Sequence, residues 1–223
     1  GLNGSLEIGS AIYLHMKKSI LFIFTACFLF TTSCSDFLDE EHKTKYSSEY
    51  VFGTPEGLKL AVNALYALQR YYANDTENAT IFALERGTDL AVTNGGTGNF
   101  YGIYDPNYLK PSASQVGFMW RTMYQIIGKA NEIIAAAEDL EDTPSLRATV
   151  SEAKCFRAQS YFLLYRTFDR IWLNIQPTTA ENVNDPRDFH AASEKEVFDL
   201  IYEDLEYAIT NLDWVSDEAG RFT

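Results

Sequence analysis

The chain has 223 residues, 46% hydrophobic and 22% charged, which are values of a folded globular protein and not of a disordered one. A net charge of −13 argues against a nucleic-acid backbone as partner and against electrostatic adhesion to anionic lipid. The length suits one sizeable domain or part of a larger protein, and an aromatic share of 14% directs attention to stacking surfaces.

Residues 1–15 fit no export pattern and are read as an upstream extension or gene-model scar. Met16-Lys17-Lys18 is a short basic stretch before the apolar run Ile20–Phe30. That run is too short for a membrane span, which needs about 20 apolar residues, and has the length of a signal-peptide core. Residues 16–33 therefore read as a signal peptide. The small residues Thr31-Thr32-Ser33 lead to Cys34. A cysteine at that junction resembles a bacterial lipobox, with Ser33 before it and Thr31 where Leu is usual. Acylation of the Cys34 sulfur and cleavage before it would anchor the chain by lipid. The alternative is a small buried residue in an uncleaved signal anchor. Residues 34–50, with Asp36, Asp39, Glu40 and Glu41, form an acidic tether resembling the surface-sorting signals of Bacteroidetes lipoproteins, or a merely solvated linker. Residues 51–223 form the folded part. Cys155 is then the one cysteine after Cys34, so no intramolecular disulfide is expected, and it falls in a helical pattern as a core residue.

Four helical runs follow. In the first, Thr54 is an N-cap and Pro55 takes the first helical position; Leu58, Ala61, Val62, Leu65 and Leu68 share one face. Tyr71 and Tyr72 end it and suit either core or surface. The second run, residues 114–140, aligns Val116, Trp120, Met123, Ile127, Ile134 and Ala137, with Trp120 read as core. Thr143-Pro144 opens a third run carrying Leu146, Val150, Ala153, Tyr161, Leu164 and Phe168. Ser193 and Glu196 form a capping box for the fourth, which carries Val197, Leu200, Ile201, Leu205, Ala208 and Leu212. No comparable strand pattern appears, so the fold is predicted to be all-α. The short link at Asp142-Thr143 makes the second and third helices an antiparallel pair, as in tetratricopeptide-like stacks, although no regular 34-residue repeat is visible. Residues 86–114, rich in glycine, and residues 171–192 break the pattern and are long enough to be functional.

The segments "CSDFLDEEHKTKYSSEYVFGTPEGLKLAVNALYALQ", "MWRTMYQIIGKANEII", "EAKCFRAQSYFLLYRTF", "EVFDLIYEDLEYAITNL" and "GRFT" resemble, in order and spacing, the N-terminal portion of SusD/RagB-family outer-membrane lipoproteins. The resemblance covers residues 34–223. Family members are about twice as long, so the chain reads as a truncated gene model or fragment. Where the family commonly has Gly-Asp-Val-Pro, this chain has Asp169-Arg170-Ile171-Trp172. The resemblance implies an all-α, tetratricopeptide-like fold and a cell-surface glycan-binding lipoprotein, not an enzyme. It also implies a SusC-like TonB-dependent transporter as partner.

A sugar presents apolar C–H faces and a rim of hydroxyls, so its site needs aromatic plates beside amides, carboxylates or guanidinium groups. The loop Thr93–Pro111 offers Phe100, Tyr101, Tyr104 and Tyr108 with Asn94 and Asn107, and Arg86 and Asp89 stand just before it. Some of these rings could instead fold inward and cap the helices. Catalysis is poorly supported. Three histidines at scattered positions make no triad or H-E-x-x-H zinc site, and Gly96, Gly98 and Gly102 lack dinucleotide-binding spacing. No cofactor is expected beyond the lipid on Cys34; no EF-hand loop is present, and only a carboxylate-rich loop remains as a place for Ca²⁺. A helical scaffold protein of the envelope that binds no sugar is the competing function.

Overall fold

The computed structural model describes residues 17, 46–74, 114–179, 181–186, 189–216 and 218–223. The chain divides into two units, Gly1–Lys45 and Tyr46–Thr223, and the architecture below is that of the second. It contains α1 (Ser48–Gly53), α2 (Pro55–Asn74), α3 (Ser114–Ala137), α4 (Pro144–Phe168) and α5 (Glu194–Asn211), with no strand among the described residues. The all-α expectation holds.

The helices begin where side chains can satisfy orphan N–H groups. One hydroxyl joins α1 to α2: Thr54 Oγ1 donates to Tyr50 O at 2.8 Å and accepts from Gly57 N at 3.1 Å. Gly57 is required there, because a Cβ would lie 2.2 Å from the Tyr50 carbonyl oxygen. Thr143 caps α4 through Leu146 N at 3.1 Å. The Ser193–Glu196 capping box opens α5 as the sequence predicts. The six-residue α1 lies across the start of residues 51–223 and belongs to no predicted run.

Helices α2, α3, α4 and α5 stack side by side, with α3 and α4 antiparallel across the turn at Glu138–Thr143. Leu58, Val62, Leu65, Met123, Ile127 and Phe156 are fully or almost fully buried between them. Burial of each such side chain contributes roughly 1.5–3 kcal/mol. The buried face of α3 is rotated from the expected one. Ile126, Ala130 and Ile133 complete it, whereas Val116, Ile134 and Ala137 are only half-buried.

Helix α4 is the centre, in contact with α2, α3 and α5. Because neighbours surround it, its polar residues are buried too, including Glu152, Lys154 and Arg157. Helix α5 carries two apolar stripes. Val197, Ile201 and Ala208 are buried, while Leu205, expected among them, turns toward the surface with Tyr202 and Ile209. With Phe162 and Phe198 these three line an open apolar groove of about 590 Å³.

Candidate functional site

Ring contacts fix which helix ends lie together. Tyr71 and Tyr72 at the end of α2 meet Phe118 at the start of α3, at centroid distances of 5.7 and 6.4 Å. Trp120 of α3 meets Phe168 at the end of α4 at 5.0 Å, and Tyr165 of α4 meets Phe198 at the start of α5 at 5.5 Å. The ambiguity over the two tyrosines resolves: Tyr71 is 59% exposed and Tyr72 is 4% exposed. The chain therefore leaves α2 and enters α3 at the same end of the stack at which it leaves α4 and enters α5. The opposite end carries the short turn between α3 and α4.

The ligand residues expected from the sequence, Arg86, Asp89, Asn94, Phe100, Tyr101, Tyr104, Asn107 and Tyr108, lie outside the described residues, as does Cys34. What the structure fixes is where their segment is attached, between Asn74 and Ser114 at the end just defined.

The segment that follows α4 is described and is held tightly. Helix α4 stops in a γ-turn: Asp169 has φ 63° and ψ −51°, and Arg170 N donates to Phe168 O at 2.6 Å. Two tyrosine hydroxyls from the helices then pin an extended stretch. Tyr124 Oη accepts from Trp172 N at 3.0 Å and donates to Trp172 O at 2.8 Å. Tyr161 Oη does the same for Asn174, both at 2.8 Å, and Asn131 Nδ2 donates to Asn174 O at 2.7 Å. Burial raises the pKa of both phenols, keeping them neutral so that each can donate and accept. Ile171 is buried beneath, and its carbonyl accepts from Ala192 N at 2.8 Å.

The result is a row of five rings across this end: Phe168, Trp120, Tyr124, Trp172 and Phe189. Trp120 is half-buried and packs between Phe168 and Tyr124, in keeping with its expected core role. Trp172 and Phe189 were not legible as site candidates. The available signal was the departure at 169–172, which puts Trp172 where the resembling family has proline.

The buried charges form two hydrogen-bonded networks. Asp204, 0% exposed, accepts from Lys154 Nζ at 2.9 Å and from Arg157 Nε and Nη2, both at 2.7 Å; Arg157 Nη1 donates to Asn131 Oδ1 at 2.9 Å. Glu152 receives the Tyr66 hydroxyl and two nitrogens of Arg221, whose third nitrogen reaches Asn63 at 2.8 Å. Phe222 follows into the gap beside Tyr66 and Phe156. These polar groups hold helices together. Cys155 is buried, and burial, with Asp204 and Glu152 nearby, pushes its thiol up to about 11, so it is a core thiol as expected. Among the described residues no cluster of His, Cys, Asp and Glu is arranged to hold a metal, and no helix is long and apolar enough to cross a membrane.

The fold class is thus an all-α helical stack with an aromatic row at the end where its irregular segments emerge. The chain belongs to the SusD-like family: the family model described as "Starch-binding associating with outer membrane" matches residues 36–223. A SusD-like protein of Bacteroides ovatus is 27% identical over 221 residues, covering 93% of this chain and 37% of its own. Among solved structures, a laminarin-binding SusD-like protein is 26% identical with a TM-score of 0.62, over 75% of this chain and 37% of that one. A SusD-like carbohydrate-binding protein from Bacteroides fragilis shares the fold at a TM-score of 0.62 and 21% identity, over 77% of this chain and 35% of that one. The chain spans less than half the length of these relatives. The family's description is one of starch binding at the outer membrane.

Proposed function

We propose that this chain captures glycans at the cell surface and delivers them to a SusC-like TonB-dependent transporter for uptake, without catalysing a reaction on them. The observation that carries the reading is the family match across residues 36–223. In this reading Cys34 bears the lipid that anchors the protein to the outer membrane, facing outward. The ligand is met by Phe100, Tyr101, Tyr104 and Tyr108 as stacking plates, with Asn94, Asn107, Asp89 and Arg86 serving its hydroxyls. The attachment of their segment beside the aromatic row supports that assignment.

The test is affinity electrophoresis in gels containing laminarin or starch. The chain should be retarded by at least one of them, and Tyr101→Ala with Tyr104→Ala should abolish the retardation. Retention of binding in that double variant rejects the ligand residues. Lipid labelling that persists after Cys34→Ala rejects the anchor. Failure to co-purify with a TonB-dependent transporter encoded beside it rejects the delivery step.

A further inference from the structure

We propose that Trp172 and Phe189 form a preset stacking subsite for one sugar ring of a neutral glycan. The inference rests on the glycan-binding reading and adds a place and a ligand class to it. Of the five rings in the row, Phe168, Trp120, Tyr124 and Trp172 are half-buried, whereas Phe189, which meets the Trp172 ring, is 70% exposed. The Trp172 and Phe189 rings stand 4.7 Å apart and tilted by 53°, so together they offer an angled apolar ledge and not one flat face.

The Trp172 side of the ledge is held in place before any ligand arrives. The Trp172 backbone is held on both sides by the Tyr124 hydroxyl, and Asn174, two residues on, is held by Tyr161 and Asn131. A preset platform spares the ordering cost that a mobile ring would incur on binding. Two exposed hydrogen-bonding side chains, Arg170 and Gln176, stand on the same segment and suit the hydroxyl rim of a sugar. Exposure alone does not single out the ledge, since Trp214 is more exposed; that residue follows α5 at the other end of the stack. The net charge of −13 disfavours uronate or sulfated polymers, which leaves neutral sugars whose C–H faces can lie on aromatic rings.

The experiment measures laminarin and starch retardation of the whole chain beside Phe189→Ala, Trp172→Ala and Trp172→Phe, with thermal melts of each. Binding by the parent chain should weaken about five- to tenfold in Phe189→Ala and at least as much in Trp172→Ala, and Trp172→Phe should restore most of it. If Trp172→Ala does not fold, Phe189→Ala decides, because that side chain is largely in solvent. Parent-like binding in the folded variants overturns the ledge and leaves the glycan reading intact. A parent chain that binds neither polymer overturns both.

Discussion

Replacing Asp204 by alanine should be among the most damaging single changes available to this unit. The carboxylate is fully buried and accepts three charge-assisted hydrogen bonds, one from Lys154 and two from Arg157. Those two side chains are themselves only 11% and 6% exposed, so the variant strands two cations in a poorly solvated place. Removing one partner of a buried ion pair costs about 3–5 kcal/mol, a large share of the roughly 5–15 kcal/mol that holds a typical domain together. With a urea m-value of about 2 kcal/mol/M, the unfolding midpoint followed by circular dichroism should fall by about 2 M. The cost arises from the stranded cations more than from lost attraction. The triple change Lys154→Met, Arg157→Met, Asp204→Leu should therefore cost less than Asp204→Ala alone, even though Asn131 loses one partner. A midpoint drop below about 0.5 M at unchanged m, or a triple variant less stable than the single one, refutes this account.

Arg221→Ala should cost about 2–4 kcal/mol in the same melts, since it removes the two-nitrogen grip on the nearly buried Glu152 and the bond to Asn63, and it should speed protease clipping of residues 212–223. Asp169→Gly should stabilise by about 1 kcal/mol, raising Tm by about 2–4 °C, because glycine adopts the positive φ of the γ-turn without strain. Stability should also fall in alkali. Burial raises the Cys155 thiol to about 11 and the Tyr72 phenol to about 12, so their contributions are complete below the unfolded values, near 9 and 10, and are lost as pH rises through the folded ones. Urea melts from pH 8 to 11 check this, and Cys155→Ala should flatten the first part of the decline.

The helices were legible because their starts and faces are local: Thr54-Pro55, Thr143-Pro144 and Ser193 with Glu196 announce the ends, and a 3.6-residue period marks the buried sides. Helix α4 resisted that reading. Glu152, Lys154 and Arg157 were visible as a family-like pattern, but polar residues on a surrounded helix give no sign of their partners, which stand about 50 to 70 positions later at Asp204 and Arg221. Leu205 was assigned to the core for a related reason: α5 has two apolar stripes, and periodicity does not say which one meets α4. The site was the least legible part. Trp172 and Phe189 sit in irregular chain, where an aromatic residue follows no period, and the placement of Trp172 depends on tyrosine hydroxyls projected from other helices.

The central position of α4 also bears on the order in which the chain acquires structure. Its partners α3 and α5 are its neighbours in sequence, and the turn to α3 is only six residues, 138–143. Helix α2 is instead separated from α3 by residues 75–113, so its contacts with α3 and α4 are far less local in sequence. Assembly should therefore spread outward from the α3–α4 hairpin, with α1 and α2 arriving late and leaving first. In pulsed hydrogen exchange the amides of α4 should be protected earliest, and protection of α2 ahead of α4 would reverse that order.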